Sequence, residues 1–210
     1  MEERSQRGGS DVDEAGAYRE GDAVLVVDVF NDFDHDDGDR LLDSFRERAP
    51  NMRLAIESAR ATGVPVVYAN DARGWQDDAR RVVHEALNGK GGELIQALVP
   101  NDGEPVLLKH RYSAFDHTPL DIFLGAQSIE RVLLVGAATE GCVVQTAIDA
   151  RELGLQASIV ANACATTDAE LEQVALRYAS LVGGVRLERI TQDGRGGASL
   201  RRSQGEVHAA

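Results

Sequence analysis

Short apolar runs rich in β-branched residues alternate along the chain with segments of helical period, and this alternation most limits what it can fold into. The runs span residues 23–29, 64–68, 104–108, 132–136, 157–161 and 185–190. Most lack strict polar alternation, as expected of strands covered on both faces. Between the first two, Met52, Ala55, Ile56 and Ala59 mark a helix that stops at Gly63. Further on, Leu171, Val174, Ala175, Tyr178 and Leu181 fall at i, i+3, i+4, i+7 and i+10, which predicts one buried stripe on a helix over 167–181. Thr167 or Asp168 can cap its start, and Gly183 and Gly184 end it. Such alternation predicts an α/β fold: a single-domain, doubly wound sandwich with a central, mostly parallel six-stranded sheet and helices on both faces.

Composition narrows the partners. The 210 residues suffice for one domain, and 22 Lys+Arg against 35 Asp+Glu give a formal charge of −13. That excess repels phosphate backbones and anionic lipid, so neither nucleic acid nor membrane is expected as a partner. The folded body is expected over residues 18–191. Residues 1–17 read as a disordered acidic tail, and residues 192–210, rich in Gly and Arg, as a disordered C-terminal tail. No apolar core of a secretory signal is visible near the start, and no apolar run reaches the ~20 residues of a bilayer span. Two cysteines, Cys142 and Cys164, are too few for a disulfide scaffold. A reduced, cytoplasmic protein is the expectation.

In an open parallel sheet, ligands bind beyond the carboxyl ends of the strands. The first run leads into Asp28, the third into Lys109, and the fourth through a short turn into Cys142, which opens a helix. A thiol there meets free backbone N–H groups and the positive end of the helix dipole, both of which favour thiolate. Lys109 would act in the same direction, while Asp28 could carry the proton. Together they form a constellation for nucleophilic attack on an acyl group. Taken singly, each has a plainer reading: a Cys as a small core hydrophobe, an Asp as a turn residue, a Lys as a solvated charge. Asp28, however, follows an apolar run where an unpaired carboxylate is costly, so it needs a partner, and Lys109 is the candidate.

Three segments, DVFNDF at 28–33, KHRYSAF at 109–115 and GAATEGCVVQTAIDA at 136–150, closely resemble the isochorismatase-like cysteine hydrolases. That superfamily includes nicotinamidases, N-carbamoylsarcosine amidohydrolases and ureidoacrylate amidohydrolases, and the resemblance runs from about residue 23 to 190. It implies Asp28, Lys109 and Cys142 as the catalytic triad, and a cis peptide joining Ala137 to Ala138. It also implies the backbone N–H groups of Ala138 and Cys142 as an oxyanion hole. The implied reaction is hydrolysis of a small amide, ureido or carbamoyl substrate through a thioester, without a cofactor. Family members usually form homodimers or larger homo-oligomers, and regions 113–125 and 142–154 are the interface elements suggested by resemblance. Two alternatives remain: enol-ether hydrolysis of the isochorismate type, against which Cys142 argues, and a catalytically silent binding member.

Departures from the family pattern include His110 where Pro is frequent and Asn162 where Asp is common. The stretch YANDARGW at 68–75 lacks the histidine of the Asp-x-His metal pair found in many nicotinamidases. The five histidines, at 35, 84, 110, 117 and 208, show no ligand spacing, so no metal is expected. Residues 32–38 with Asp43 approximate a calcium loop, but Gly38 falls one place late and Asp43 replaces the bidentate Glu, which favours a solvated acidic loop. Candidate substrate contacts are Phe33, Asn31, Trp75 and Tyr112, with Phe115 beside them. The aromatics could equally be core, and Asn31 could equally cap a turn. Arg73 and Arg111 either bind a substrate carboxylate or make structural ion pairs. Cys164 reads as packing.

Overall fold

A computed structural model describes residues 18–193 and 197–203; the expectations for 1–17 and 204–210 lie outside them. In chain order the elements are β1 (Asp22–Val27), α1 (Gly38–Ala61), β2 (Val66–Asp71), α2 (Ala79–Leu87), α3 (Gly92–Gln96), β3 (Val106–Lys109) and α4 (Leu120–Ala126). There follow β4 (Arg131–Gly136), one π turn (Thr139–Val143), α5 (Val144–Glu152), β5 (Gln156–Cys164), α6 (Ala169–Leu181), β6 (Arg186–Gln192) and β7 (Ala198–Arg202). The seven strands form one sheet in the order β3-β2-β1-β4-β5-β6-β7, parallel throughout except for β7 against β6.

Both faces of the sheet are covered, which is why its strands are apolar without alternation. Val24 and Val26 of β1 pack with Leu41, Phe45, Met52 and Ile56 of α1, while Ala23, Leu25 and Val27 face the core shared with Leu124 of α4 and Ala147 of α5. The order reverses between β1 and β4, which pair along their full lengths from Asp22↔Arg131 to Val27↔Gly136. The crevice at such a switch point is where an open α/β sheet takes its ligand. Close approach of the two strand ends requires glycine at 136. Its φ is 127°, and a Cβ there would lie 1.9 Å from the Val27 carbonyl oxygen.

Two expectations are corrected. The tail assigned to residues 192–210 contains a seventh strand: β7 pairs antiparallel with β6, from Gln192↔Ala198 to Glu188↔Arg202. Leu200 is buried beside Ile190 in the same core, so one apolar side chain and a backbone ladder outweigh the Gly- and Arg-rich composition. The stripe predicted to be buried on α6 faces outward instead. Leu171, Val174, Tyr178 and Leu181 are each more than half exposed, whereas Glu172 and Ala179 are buried. The inward face of α6 packs Ala175, Leu176 and Ala179 against the core, and beside them Glu172 accepts from Thr139 at 3.0 Å and from Arg48 at 3.4 Å. Asp168 caps the helix as expected, accepting from the Glu170 and Leu171 N–H groups at 2.9 Å.

Candidate active site

Three strand ends and one turn deliver the polar groups. Asp28 follows β1 with φ 47°, Lys109 ends β3, and Cys142 sits in the π turn that runs straight into α5. Lys109 is 1% exposed and Cys142 8%. The Lys109 ammonium lies 2.7 Å from Asp28 Oδ2, donates to Cys142 Sγ at 3.3 Å and to the Arg111 carbonyl at 3.1 Å, and contacts Asp71 Oδ1. Asp71 is its register partner across β2 and β3. Asp28 Oδ1 accepts from the Asp71 N–H at 2.6 Å. Asp28 Oδ2 is buried and receives no well-directed hydrogen bond. Its interaction with Lys109 is therefore chiefly charge attraction, which depends on separation more than on angle.

Burial is the largest influence on each protonation state. It pushes Asp28 up to about 6, with the Asp71 carboxylate acting in the same direction and Lys109 opposing. Burial and the neighbouring Asp28 push the Cys142 thiol up as well, against Lys109. Burial opposes the charge on Lys109, yet Asp28, Cys142 and Asp71 together hold its pKa above the ordinary value. Burial of the sulfur thus opposes the thiolate that the helix end and Lys109 favour. The acceptor atoms of Asp28, Asp71 and Cys142 lie within 4.8 Å of one another, close enough to hold a cation. Lys109 touches all three and places positive charge at that point, so a metal ion would have to compete with a buried ammonium.

The turn that carries Cys142 is fixed from behind. The Ala137–Ala138 peptide is cis, and the Ala138 N–H has no protein acceptor among the described residues. Glu140 accepts from Thr166 Oγ1 at 2.7 Å, Thr167 Oγ1 at 2.6 Å and the Thr167 N–H at 2.9 Å, which ties the π turn to the loop before α6. The Thr139 N–H donates to the Ala165 carbonyl at 2.8 Å. Glu140 touches no reacting group; it is a positioning residue. Glu140→Ala is expected to lower kcat about 10–100-fold with a smaller change in KM, and Glu140→Gln, which keeps an acceptor, to recover part of that loss. Equal losses in both variants at unchanged thermal stability would show that the clamp is not what positions the turn.

A cavity of ≈570 Å³ opens over these groups, walled by Asp28, Phe30, Asn31, Asn70, Ala138 and Cys142 among others. Its size suits a small molecule. Asn31 lines it, but its Oδ1 also accepts from the Phe33 N–H at 2.7 Å, so it caps the turn as well. Phe33 is not a wall residue: it is fully buried, edge-on to Phe45 at 5.4 Å. The capped turn and a φ of 58° at Phe33 swing the ring inward, and Phe30, stacked on Tyr68 at 5.4 Å, takes the wall position. Trp75 is 89% exposed and stacks on His110 at 4.4 Å; Tyr112 is exposed near Gly141. Neither lines the cavity. Phe115 packs partly buried beneath the α4–α6 face of the sheet.

Arg73 borders the cavity but is held by Asp32 at 2.5 Å, and Arg111 lies 3.7 Å from Asp116. Within the acidic stretch 32–43, Asp32 pairs with Arg73, and Asp43 lies within α1 and meets Arg46 at 2.6 Å. Cys164 is fully buried and donates to the Leu134 carbonyl at 3.6 Å, as a packing thiol would. Asp71, Asn70, Phe30 and Glu140 were not singled out from the sequence. Asp71 and Asn70 lie in the stretch 68–75, whose local sequence does not mark them as neighbours of Asp28 and Lys109.

A cavity thus lies at the switch point of an open α/β sheet, walled by a carboxylate and a thiol that share a buried ammonium. The Isochorismatase domain matches residues 22–189. The chain belongs to the isochorismatase family, and with it to a group of hydrolases. It is 33% identical over 129 residues to the uncharacterised isochorismatase family protein YaaI of Bacillus subtilis, covering 61% of this chain and 71% of that one. Against ureidoacrylate amidohydrolase RutB of an Enterobacter species it is 31% identical over 157 residues, covering 60% and 67%. The crystal structure of N-carbamoylsarcosine amidase from Thermoplasma acidophilum superposes with a TM-score of 0.63 at 32% identity, covering 80% and 95%. Among the described residues, no helix is long and apolar enough to cross a membrane.

Proposed function

We propose that this protein is a cysteine-dependent amidohydrolase that cleaves the C–N bond of a small amide, ureido or carbamoyl compound through a thioester. One observation carries the reading: Lys109 Nζ lies 2.7 Å from the Asp28 carboxylate and 3.3 Å from Cys142 Sγ, with both partners on the wall of one cavity. Asp28 takes the thiol proton as sulfur attacks the carbonyl carbon, and Lys109 stabilises the sulfur as it loses that proton. The N–H groups of Ala138 and Cys142 receive the carbonyl oxygen of the tetrahedral intermediate. Protonated Asp28 returns its proton to the departing nitrogen as the C–N bond breaks. Water then attacks the thioester, giving one proton to Asp28, which restores the thiol as the acid leaves. The relatives named for ureidoacrylate and N-carbamoylsarcosine support the bond type.

The wall also bears on substrate charge. Asp28, Asp32, Asp34, Asp37 and Asp71 line it, and the cations that contact them are Lys109, Arg73 and Arg40. Negative charge is in excess, so a substrate carboxylate is disfavoured there. Ammonia or amine release from a panel of primary amides and carbamoyl compounds, each in neutral, cationic and carboxylate-bearing form, tests both points. The neutral or cationic members are expected to show kcat/KM about tenfold above their carboxylate analogues, with the gap narrowing as salt rises. A panel with no release at all would refute the amidohydrolase reading; preference for carboxylates would refute the charge argument alone.

A further inference from the structure

A lysine ammonium carries three N–H donors, and that of Lys109 stands among four acceptors. It donates to Asp71 Oδ1, to the Arg111 carbonyl at 3.1 Å and to Cys142 Sγ at 3.3 Å. Asp28 Oδ2, 2.7 Å away, is left without a directed hydrogen bond. Asp71 takes its share because the parallel register of β2 and β3 sets it opposite Lys109, and paired residues present their side chains on one face of a sheet. Its own main-chain N–H donates to the other Asp28 oxygen, Oδ1, at 2.6 Å. The end of β2 thus holds one oxygen of Asp28 and competes for the cation beside the other. Asn70 secures the same strand end: its Oδ1 accepts from the Phe30 N–H at 2.9 Å and its Nδ2 donates to the Phe30 carbonyl at 3.2 Å.

We propose that Asp71 is a positioning residue: by engaging one Lys109 N–H, it keeps Asp28 Oδ2 free to take the Cys142 proton. This role rests on the proposed function, in which Asp28 is the base and Cys142 the nucleophile. A carboxylate that receives a hydrogen bond is a weaker base, because the bond stabilises its charged form. Without the Asp71 carboxylate, the released N–H would turn to Asp28 Oδ2, which stands beside it unpartnered. The charge of Asp71 works in the same direction, since a second anion next to Asp28 favours its protonated form. The titratable groups that face Asp28 are Lys109 from β3, Asp71 from β2 and Cys142 from the π turn. Arg73, two residues beyond Asp71, is held by Asp32. The Asp71 side chain is 59% exposed on the cavity wall, so it can be replaced without opening the core.

The pH dependence of Cys142 alkylation by iodoacetamide, followed by peptide mass spectrometry on the full chain, tests the inference without a substrate. In the wild-type protein the rate is expected to fall below about pH 6, where Asp28 is protonated and no longer assists loss of the thiol proton. Asp71→Ala is expected to move that limb down by about one pH unit. Asp71→Asn, which keeps an acceptor for Lys109 without the charge, should move it about half as far. Circular dichroism and thermal midpoint of both variants are expected to stay close to wild type. On a substrate found by the panel, kcat/KM of Asp71→Ala should lie about 3–10-fold below wild type near pH 8, with KM little changed and the gap narrowing below about pH 6. A residue that served the fold alone would lower the rate by one factor at every pH. Limbs that coincide in the three proteins would overturn the inference, as would a wild-type alkylation profile with no limb in this range. A limb that shifts as expected in a protein that hydrolyses no amide would refute the amidohydrolase reading and leave the role of Asp71 toward Asp28 and Cys142 standing.

Discussion

Cys142→Ala is expected to lower turnover about 10⁴-fold or more while leaving the fold intact. Among the described residues, Cys142 is the only thiol on the cavity wall, and Sγ is the atom toward which the Lys109 ammonium donates. Removing it takes away the group proposed to form the covalent bond. The structural cost is small: one sulfur at the edge of a cavity, worth about 1 kcal/mol by the usual run of point substitutions. Cys142→Ser should fare little better. A hydroxyl holds its proton more tightly than a thiol, and a carboxylate of pKa about 6 is a weak base for removing it. Steady-state rates on a substrate found by the panel, with circular dichroism on each variant, provide the check. Near-native activity in a folded Cys142→Ala protein would rule out covalent catalysis by this residue.

Asp28→Asn carries the second large effect, a loss of about 10³-fold together with a changed pH profile. Asp28 can accept the thiol proton only when ionised. Since burial raises its pKa to about 6, kcat/KM of the wild-type enzyme should fall as pH drops through that value, approaching tenfold per unit below it, and level off above. Lys109, its pKa held above the ordinary lysine value by Asp28, Cys142 and Asp71 against the cost of burial, stays charged across the same range and adds no limb there. The asparagine variant should lose the acid limb along with the rate. Lys109 keeps Asp71 as an ion-pair partner in that variant, so folding is expected to survive. An asparagine variant that retained a limb near pH 6 would assign that titration to another group.

The strands and the three chemical side chains were legible in the sequence for one physical reason. A strand buried on both faces is a continuous apolar run, and a charged residue at its carboxyl end stands out against it. Asp28 and Lys109 are visible in this way, and Cys142 through the glycine-containing turn after β4. What escaped depends on packing between segments distant in sequence. Asp71 reaches the site through its register with Lys109, which β2 and β3 settle only by pairing. Phe30 takes the wall position expected of Phe33, whose positive φ accompanies a ring turned into the core. The stripe on α6 has the period of a buried face, but the side that turns inward carries Leu176 and Ala179 with the buried Glu172, which bonds to Thr139 and Arg48. β7 holds too little apolar surface to be noticed before its ladder with β6 is seen. The burial of Cys142, which opposes the thiolate, likewise depends on packing between distant segments.

Rapid-quench mass spectrometry on a slowly deacylating amide or carbamoyl substrate tests the covalent route most directly. The expected result is a burst of amine or ammonia of about one equivalent per chain, matched by an acyl adduct on the peptide that contains Cys142 and none on Cys164. Linear release without a burst and without an adduct on Cys142, from a substrate whose hydrolysis survives Cys142→Ala, would contradict it.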